Sequence, residues 1–114
     1  MTVQSFYDEF APRYHLVYQD WNASIVRQGD ALDWILREHF PGARALYDVA
    51  VGIGTQALGL GALGYQMIGS DLSYQAVRRA AVEASQREVA LPLYVADFQR
   101  LPVRTASADV VMCC

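Results

Sequence analysis

A chain of 114 residues with 54% apolar and 18% charged side chains can fill the core of one domain but not two, and that balance excludes a disordered chain. A net charge of −3, with basic residues scattered rather than clustered, argues against nucleic acid as a partner. No run approaches the roughly 18–20 uninterrupted apolar residues of a membrane span.

The first residues, Met1-Thr2-Val3-Gln4-Ser5, lack the basic region and apolar stretch of a secretory signal. The two cysteines, Cys113 and Cys114, are adjacent, which suits neither a disulfide nor a metal-ligand pair. Both features point to the cytoplasm.

Residues 1–20 are rich in aromatics: Phe6, Tyr7, Phe10, Tyr14 and Tyr18, with Trp21 just beyond. From 22 to 39 the spacing predicts a helix with Ile25, Val26, Leu32, Ile35 and Leu36 on one face, interrupted by Gly29. Asn22 or Ser24 is suited to cap its start, and Pro41-Gly42 stops it. The rhythm then changes to short apolar runs alternating with helical segments. Strands are predicted at 45–51, at 65–69 finishing at Asp71, at 91–96 ending at Asp97, and at 109–114. Helices are predicted at 56–63, ended by Gly64, and from the Ser73 cap to 88. In the second of these Val77, Ala80, Ala81 and Ala84 are expected to face inward.

Strand–helix–strand alternation of this kind predicts an α/β fold, a Rossmann-like parallel sheet with flanking helices and right-handed crossovers. The expected division is an N-terminal helical cap over 1–42 and a partial sheet domain over 43–114. Val110-Val111-Met112-Cys113-Cys114 forms a final strand with nothing after it, so the sheet is expected to be cut after about four strands. Its open edge is then available for self-association.

The most informative stretch is Asp48-Val49-Ala50-Val51-Gly52-Ile53-Gly54-Thr55-Gln56-Ala57. An apolar strand meets a G-x-G turn and then a helix. Glycines there let a ligand approach bare backbone, and the N–H groups opening the helix lack intrahelical partners. Gly52-x-Gly54-x-x-Ala57 also fits the pattern of dinucleotide-binding proteins, so the turn alone leaves the cofactor open. Asp71, 17 residues after Gly54, is placed to accept hydrogen bonds from ribose hydroxyls in either case.

Asp48 four positions before Gly52, the turn itself, Asp71, and Asp97 in Val95-Ala96-Asp97-Phe98 together resemble the class I S-adenosylmethionine-dependent methyltransferases over 45–114. Tyr7-Asp8-Glu9-Phe10-Ala11 with Tyr14, Trp21 and Arg27-Gln28-Gly29 is similar to the N-terminal segment of small-molecule methyltransferases of the glycine/sarcosine N-methyltransferase kind. The resemblance implies S-adenosylmethionine as cofactor, held by Tyr14, Trp21, Arg27, Asp48, Ala50, Gly52, Gly54, Asp71, Leu72, Asp97 and Phe98. It implies that Asp48 orders the glycine loop and the methionine end, that Asp71 binds the ribose, and that Asp97 accepts from the adenine amino group beside Phe98. Tyr14, Tyr18 and Trp21 are candidates to face the sulfonium cation, and Arg27 to pair with the methionine carboxylate. Replacing Asp71 is expected to weaken cofactor binding and leave folding nearly unchanged.

The implied activity is methyl transfer to a small-molecule acceptor, such as the amine of glycine or sarcosine, with this chain as a fragment of the enzyme. No catalytic residue is assigned, because in-line transfer depends chiefly on alignment. The alternatives are a nicotinamide-dependent oxidoreductase fragment, or a non-catalytic partner that pairs through its sheet edge.

Overall fold

The structure, a computed structural model, describes residues 21–97 and 108–113. In chain order its elements are α1 (Trp21–His39), β1 (Ala45–Asp48), α2 (Thr55–Ala62), β2 (Gln66–Asp71), α3 (Tyr74–Gln86), β3 (Leu93–Val95) and β4 (Val110–Met112). The strands form one sheet in the order β3-β2-β1-β4, and every pairing is parallel. The predicted α/β class and Rossmann-like layout hold.

Two successive crossovers, β1 to β2 and β2 to β3, step the same way across the sheet. Right-handed connections therefore put α2 and α3 on one face. β4 lies on the far side of β1 from β2. The strand order reverses between β1 and β4, and open α/β sheets bind ligands beyond the strand ends at such a point.

The strands are shorter than the apolar runs suggest, for identifiable reasons. β1 ends at Asp48, not at 51, because the Asp48 side chain accepts the N–H of Ala50 at 3.1 Å and bends the chain locally. Residues 49–51 still bond to both neighbours, Val49 N–H to Met112 O and Val51 N–H to Ser70 O, each at 2.9 Å. β4 begins at Val110. Just before it, Asp109 turns its carboxylate onto the N–H groups of Arg44 and Ala45 at 2.8 and 2.9 Å.

Helix α1 already includes Trp21, so Asn22 and Ser24 do not cap its start. Its buried face is Ser24, Ile25, Gly29 and Leu36, with Leu32 packed beside the core. Val26 and Ile35, expected on that face, are 60% and 42% exposed. Gly29, which looked like an interruption, is the point of closest approach. A Cβ on it would lie 2.8 Å from the Gly59 carbonyl carbon, and one on Gly59 would lie 2.5 Å from Ile25 O. These two glycines let α1 and α2 touch backbone to backbone. The core beneath joins Ile25, Leu36, Leu46, Val51, Leu58, Leu60 and Met67. On α3 Val77, Ala80 and Ala84 are buried as expected, together with Ala76 and Glu83, whereas Ala81 is exposed. Among the described residues no helix is long and apolar enough to cross a membrane.

Candidate cofactor site

The C-terminal ends of β1 and β2 carry the two central carboxylates. In register Asp48 lies opposite Gly69, so Asp71 stands two residues, about 6–7 Å, further along the strand direction. That offset sets Asp71 level with the glycine turn. Its Oδ2 accepts the N–H of Gly52 at 2.9 Å, and its Oδ1 accepts the N–H of Ser73 at 3.0 Å. Ser73 in turn caps α3, its Oγ accepting the N–H of Ala76 at 3.1 Å. Asp71 therefore ties the turn after β1 to the start of the helix after β2. Each carboxylate oxygen retains a further lone pair for a ligand hydroxyl. A residue with that tie cannot be removed without disturbing the fold, which replaces the expectation of unchanged folding.

Gly52 has φ 57° and Gly54 φ 94°, a region where side chains are strained. Their surroundings differ. Among the described residues nothing lies within 4 Å of a Cβ built on Gly52, whereas one on Gly54 would meet the Ala80 Cβ at 3.3 Å and Leu58 at 3.4 Å. Gly54 serves packing against α3, and Gly52 presents bare backbone to open space. Gly54 also sits at the N-cap of α2 with no side-chain cap bond. The first N–H groups of that helix form a partially positive end, at which Gly54, Thr55 and Ala57 are buried.

Asp48 is fully buried. Its Oδ1 accepts the Ala50 N–H, while its Oδ2 is buried with no hydrogen-bond partner among the described residues. Burial pushes its carboxyl up from 3.8 to about 6, opposed by the Ala50 N–H and reinforced by the charge of Asp71.

Ala50, half-buried, supplies that N–H. Leu72 is 36% exposed directly after Asp71. Asp97 is half-buried two residues past β3, whose neighbour Ala96 donates its N–H to Asp71 O at 2.9 Å. Asp48, Ala50, Gly52, Gly54, Asp71, Leu72 and Asp97 thus share one edge of the sheet.

Trp21 reaches the same edge, but in a role other than the expected one. Its Nε1 donates to Thr55 Oγ1 at 2.9 Å, and the Arg87 guanidinium lies 5.1 Å from its ring centroid. One ring face already carries a cation of this chain. Arg27 is not brought to the turn. It is exposed on α1, whereas Gly29 faces α2 and Gln28 accepts from Gln56 Nε2 at 2.6 Å. Tyr14, Tyr18 and Phe98 lie outside the described residues.

Thr55, 4% exposed at the first position of α2, escaped the sequence reading. A hydroxyl residue directly after the G-x-G pair was the available signal. Among the described residues no three His, Cys, Asp or Glu side chains group as metal ligands. The edge therefore combines the half-buried carboxylates of Asp71 and Asp97, the buried carboxyl of Asp48, the open flank of Gly52 and the start of α2, groups of the kind that suit a ligand carrying hydroxyls and charge.

Residues 46–114 match the family described as "Methyltransferase domain". The chain is 33% identical over 98 residues to the glycine/sarcosine N-methyltransferase of Parasynechococcus marenigrum (strain WH8102), a match spanning 86% of this chain and 34% of that protein. Among solved structures it superimposes on magnesium protoporphyrin IX methyltransferase from Synechocystis PCC 6803 with bound SAH, with a TM-score of 0.76 at 18% identity over 97% of this chain and 56% of that one. It also superimposes on the PH0226 protein from Pyrococcus horikoshii OT3, with a TM-score of 0.69 at 26% identity over 87% of this chain and 49% of that one. The chain thus spans about a third of the length of the curated relative and about half of these two structures.

Proposed function

The chain belongs to the family of methyltransferase domains, and from that premise we propose that it binds S-adenosylmethionine and is part of an enzyme that methylates a small acceptor. The observation that carries this reading is the Asp71 carboxylate bonded to the Gly52 N–H. It brings a ribose-binding group and an open backbone turn to one point. The residues present fit the cofactor. The open flank of Gly52 admits it without a clash, Asp71 keeps lone pairs for hydroxyls, and the start of α2 suits its carboxylate.

When bound, the cofactor supplies a methyl group already activated by the adjacent sulfonium. The part of the chain is to hold and orient. Asp71 receives the ribose hydroxyls through its remaining lone pairs, and the turn with the first N–H groups of α2 receives the methionine carboxylate. Leu72, Asp97 and Phe98 take the adenine. Alignment of acceptor, methyl and sulfur with exclusion of water then provides the rate advantage. An amine acceptor such as glycine or sarcosine is the finer part of the proposal, supported by the 33% identity to the glycine/sarcosine enzyme. A cytoplasmic location and self-association along the β4 edge belong to the same proposal, and size-exclusion chromatography checks the latter.

Isothermal titration with S-adenosylmethionine, S-adenosylhomocysteine and NAD tests the cofactor. The first two are expected to bind and NAD is not. Binding of NAD without S-adenosylhomocysteine would replace this reading with the nicotinamide alternative.

A further inference from the structure

We propose that Trp21 is a positioning residue of the cofactor site: its indole grips the chain on both sides of Gly54, through Ile53 and Thr55, and so holds the glycine turn in its binding-ready shape. This rests on the cofactor reading above.

The turn offers little by which to be held. Gly52 and Gly54 carry no side chains and have φ values of 57° and 94°, so the side chain between them that can be gripped is that of Ile53. It is 2% exposed and forms a small buried cluster with Ala76 of α3, against which Trp21 packs. On the other side of Gly54, the Trp21 Nε1–H donates to Thr55 Oγ1 at 2.9 Å, and Thr55 is 4% exposed. One ring thus engages the residues before and after the glycine at the N-cap of α2.

The ring is itself held in place. The Arg87 guanidinium lies 5.1 Å from its centroid, and Arg87 also donates to Oδ1 of Asn22, the next residue of α1. The Glu83 carboxylate anchors Arg87 at 3.6 Å and Arg79 at 3.1 Å. Further along α1 a second tie reaches the same turn of α2. Gln56 donates to Gln28 Oε1 at 2.6 Å, and Gln28 donates to Ser24 Oγ at 2.8 Å. Trp21 is therefore the end of a fixed support. A turn with two glycines has many conformations to lose when a ligand binds, and fixing it beforehand lowers that cost. Such a contact favours S-adenosylmethionine and S-adenosylhomocysteine equally, since both meet the same backbone. A ring facing the sulfonium would favour the methyl donor alone.

Titration calorimetry with S-adenosylmethionine and S-adenosylhomocysteine tests this, with a urea unfolding curve for each variant. Trp21→Phe keeps a ring but removes the N–H donor, and Thr55→Val keeps the shape but removes the acceptor. Each is expected to weaken both ligands by the same factor, about three- to tenfold. The double variant should lose no more than the larger single loss, because the same bond is removed in both. Thr55→Ser, which returns the acceptor, should recover the affinity lost in Thr55→Val. Unaltered dissociation constants in folded variants, or losses that multiply in the double variant, overturn the proposal while leaving the cofactor assignment intact. A loss for S-adenosylmethionine alone overturns it in favour of a sulfonium contact. If Trp21→Phe fails to fold, the two Thr55 variants decide, and equal affinities in them overturn the proposal. Absence of binding by both ligands to the unmodified chain overturns the cofactor assignment and this proposal together.

Discussion

Replacing Asp71 with alanine withdraws the acceptor from two backbone N–H groups, those of Gly52 at 2.9 Å and Ser73 at 3.0 Å. A hydrogen bond to a charged acceptor contributes about 1.5–3 kcal/mol. Asp71 is half-buried, so water can partly replace it, and the lower end applies to each bond. The expected loss is about 3 kcal/mol, a large part of the roughly 5–15 kcal/mol that stabilises a typical domain. Asparagine keeps one acceptor oxygen, so Asp71→Asn should lose about half as much. Urea denaturation followed by circular dichroism measures both variants, and S-adenosylhomocysteine titration of each measures the ribose contact. Loss of that contact should weaken binding at least tenfold, or about 1.4 kcal/mol. A loss of stability below about 1 kcal/mol in Asp71→Ala would show that the glycine turn is held by something other than this carboxylate. An unaltered dissociation constant in a folded variant would show that the ribose is bound elsewhere.

Gly59→Ala places a Cβ 2.5 Å from Ile25 O, a backbone atom that cannot swing aside, so α1 and α2 must separate. A loss of about 1–3 kcal/mol in urea unfolding is expected, and an unchanged midpoint would contradict the close helix contact. Ser73→Ala removes the buried cap oxygen from the Ala76 N–H and should lower stability by about 1 kcal/mol; an unchanged unfolding midpoint would contradict that role. The pH dependence of stability tests Asp48. Its folded carboxyl, raised from 3.8 to about 6, binds protons more tightly than the unfolded one. Stability should therefore fall as pH rises from about 4 to about 6 and stay level above, by a contribution of up to about 3 kcal/mol at about 1.4 kcal/mol per unit. Unfolding midpoints of the unmodified chain and of Asp48→Asn across that range should differ in slope, and identical slopes would refute the assignment.

The alternation of apolar runs with helical segments was enough to specify a parallel sheet, because such strands must be covered on both faces and joined by crossovers. The turn was equally legible, since a positive φ at Gly52 and Gly54 is a local demand that only certain residue types meet. Ser73 was recognisable as a cap for the same reason: a cap acts on N–H groups three residues away. Local periodicity was a poorer guide to burial. Val26 and Ile35 have the spacing of a helix face, but their exposure was decided by where α2 lies against α1, and that contact is set by Gly29 and Gly59, 30 positions apart in the chain.

What only the tertiary structure decided were the long-range partnerships of polar atoms. The sequence placed Asp48 inside the first strand and Asp71 at the end of the second, but the two-residue stagger of parallel strands determined which of them would reach the Gly52 N–H. That stagger gave Asp71 two donors and left a buried oxygen of Asp48 with none among the described residues. Trp21 likewise had the composition of a cation-binding aromatic, yet its ring position follows from Thr55 and Arg87, residues 34 and 66 positions away. Spacing along a chain determines which residue types recur on a strand or a helix; hydrogen-bond satisfaction in a folded site depends on atoms that meet only after the elements pack.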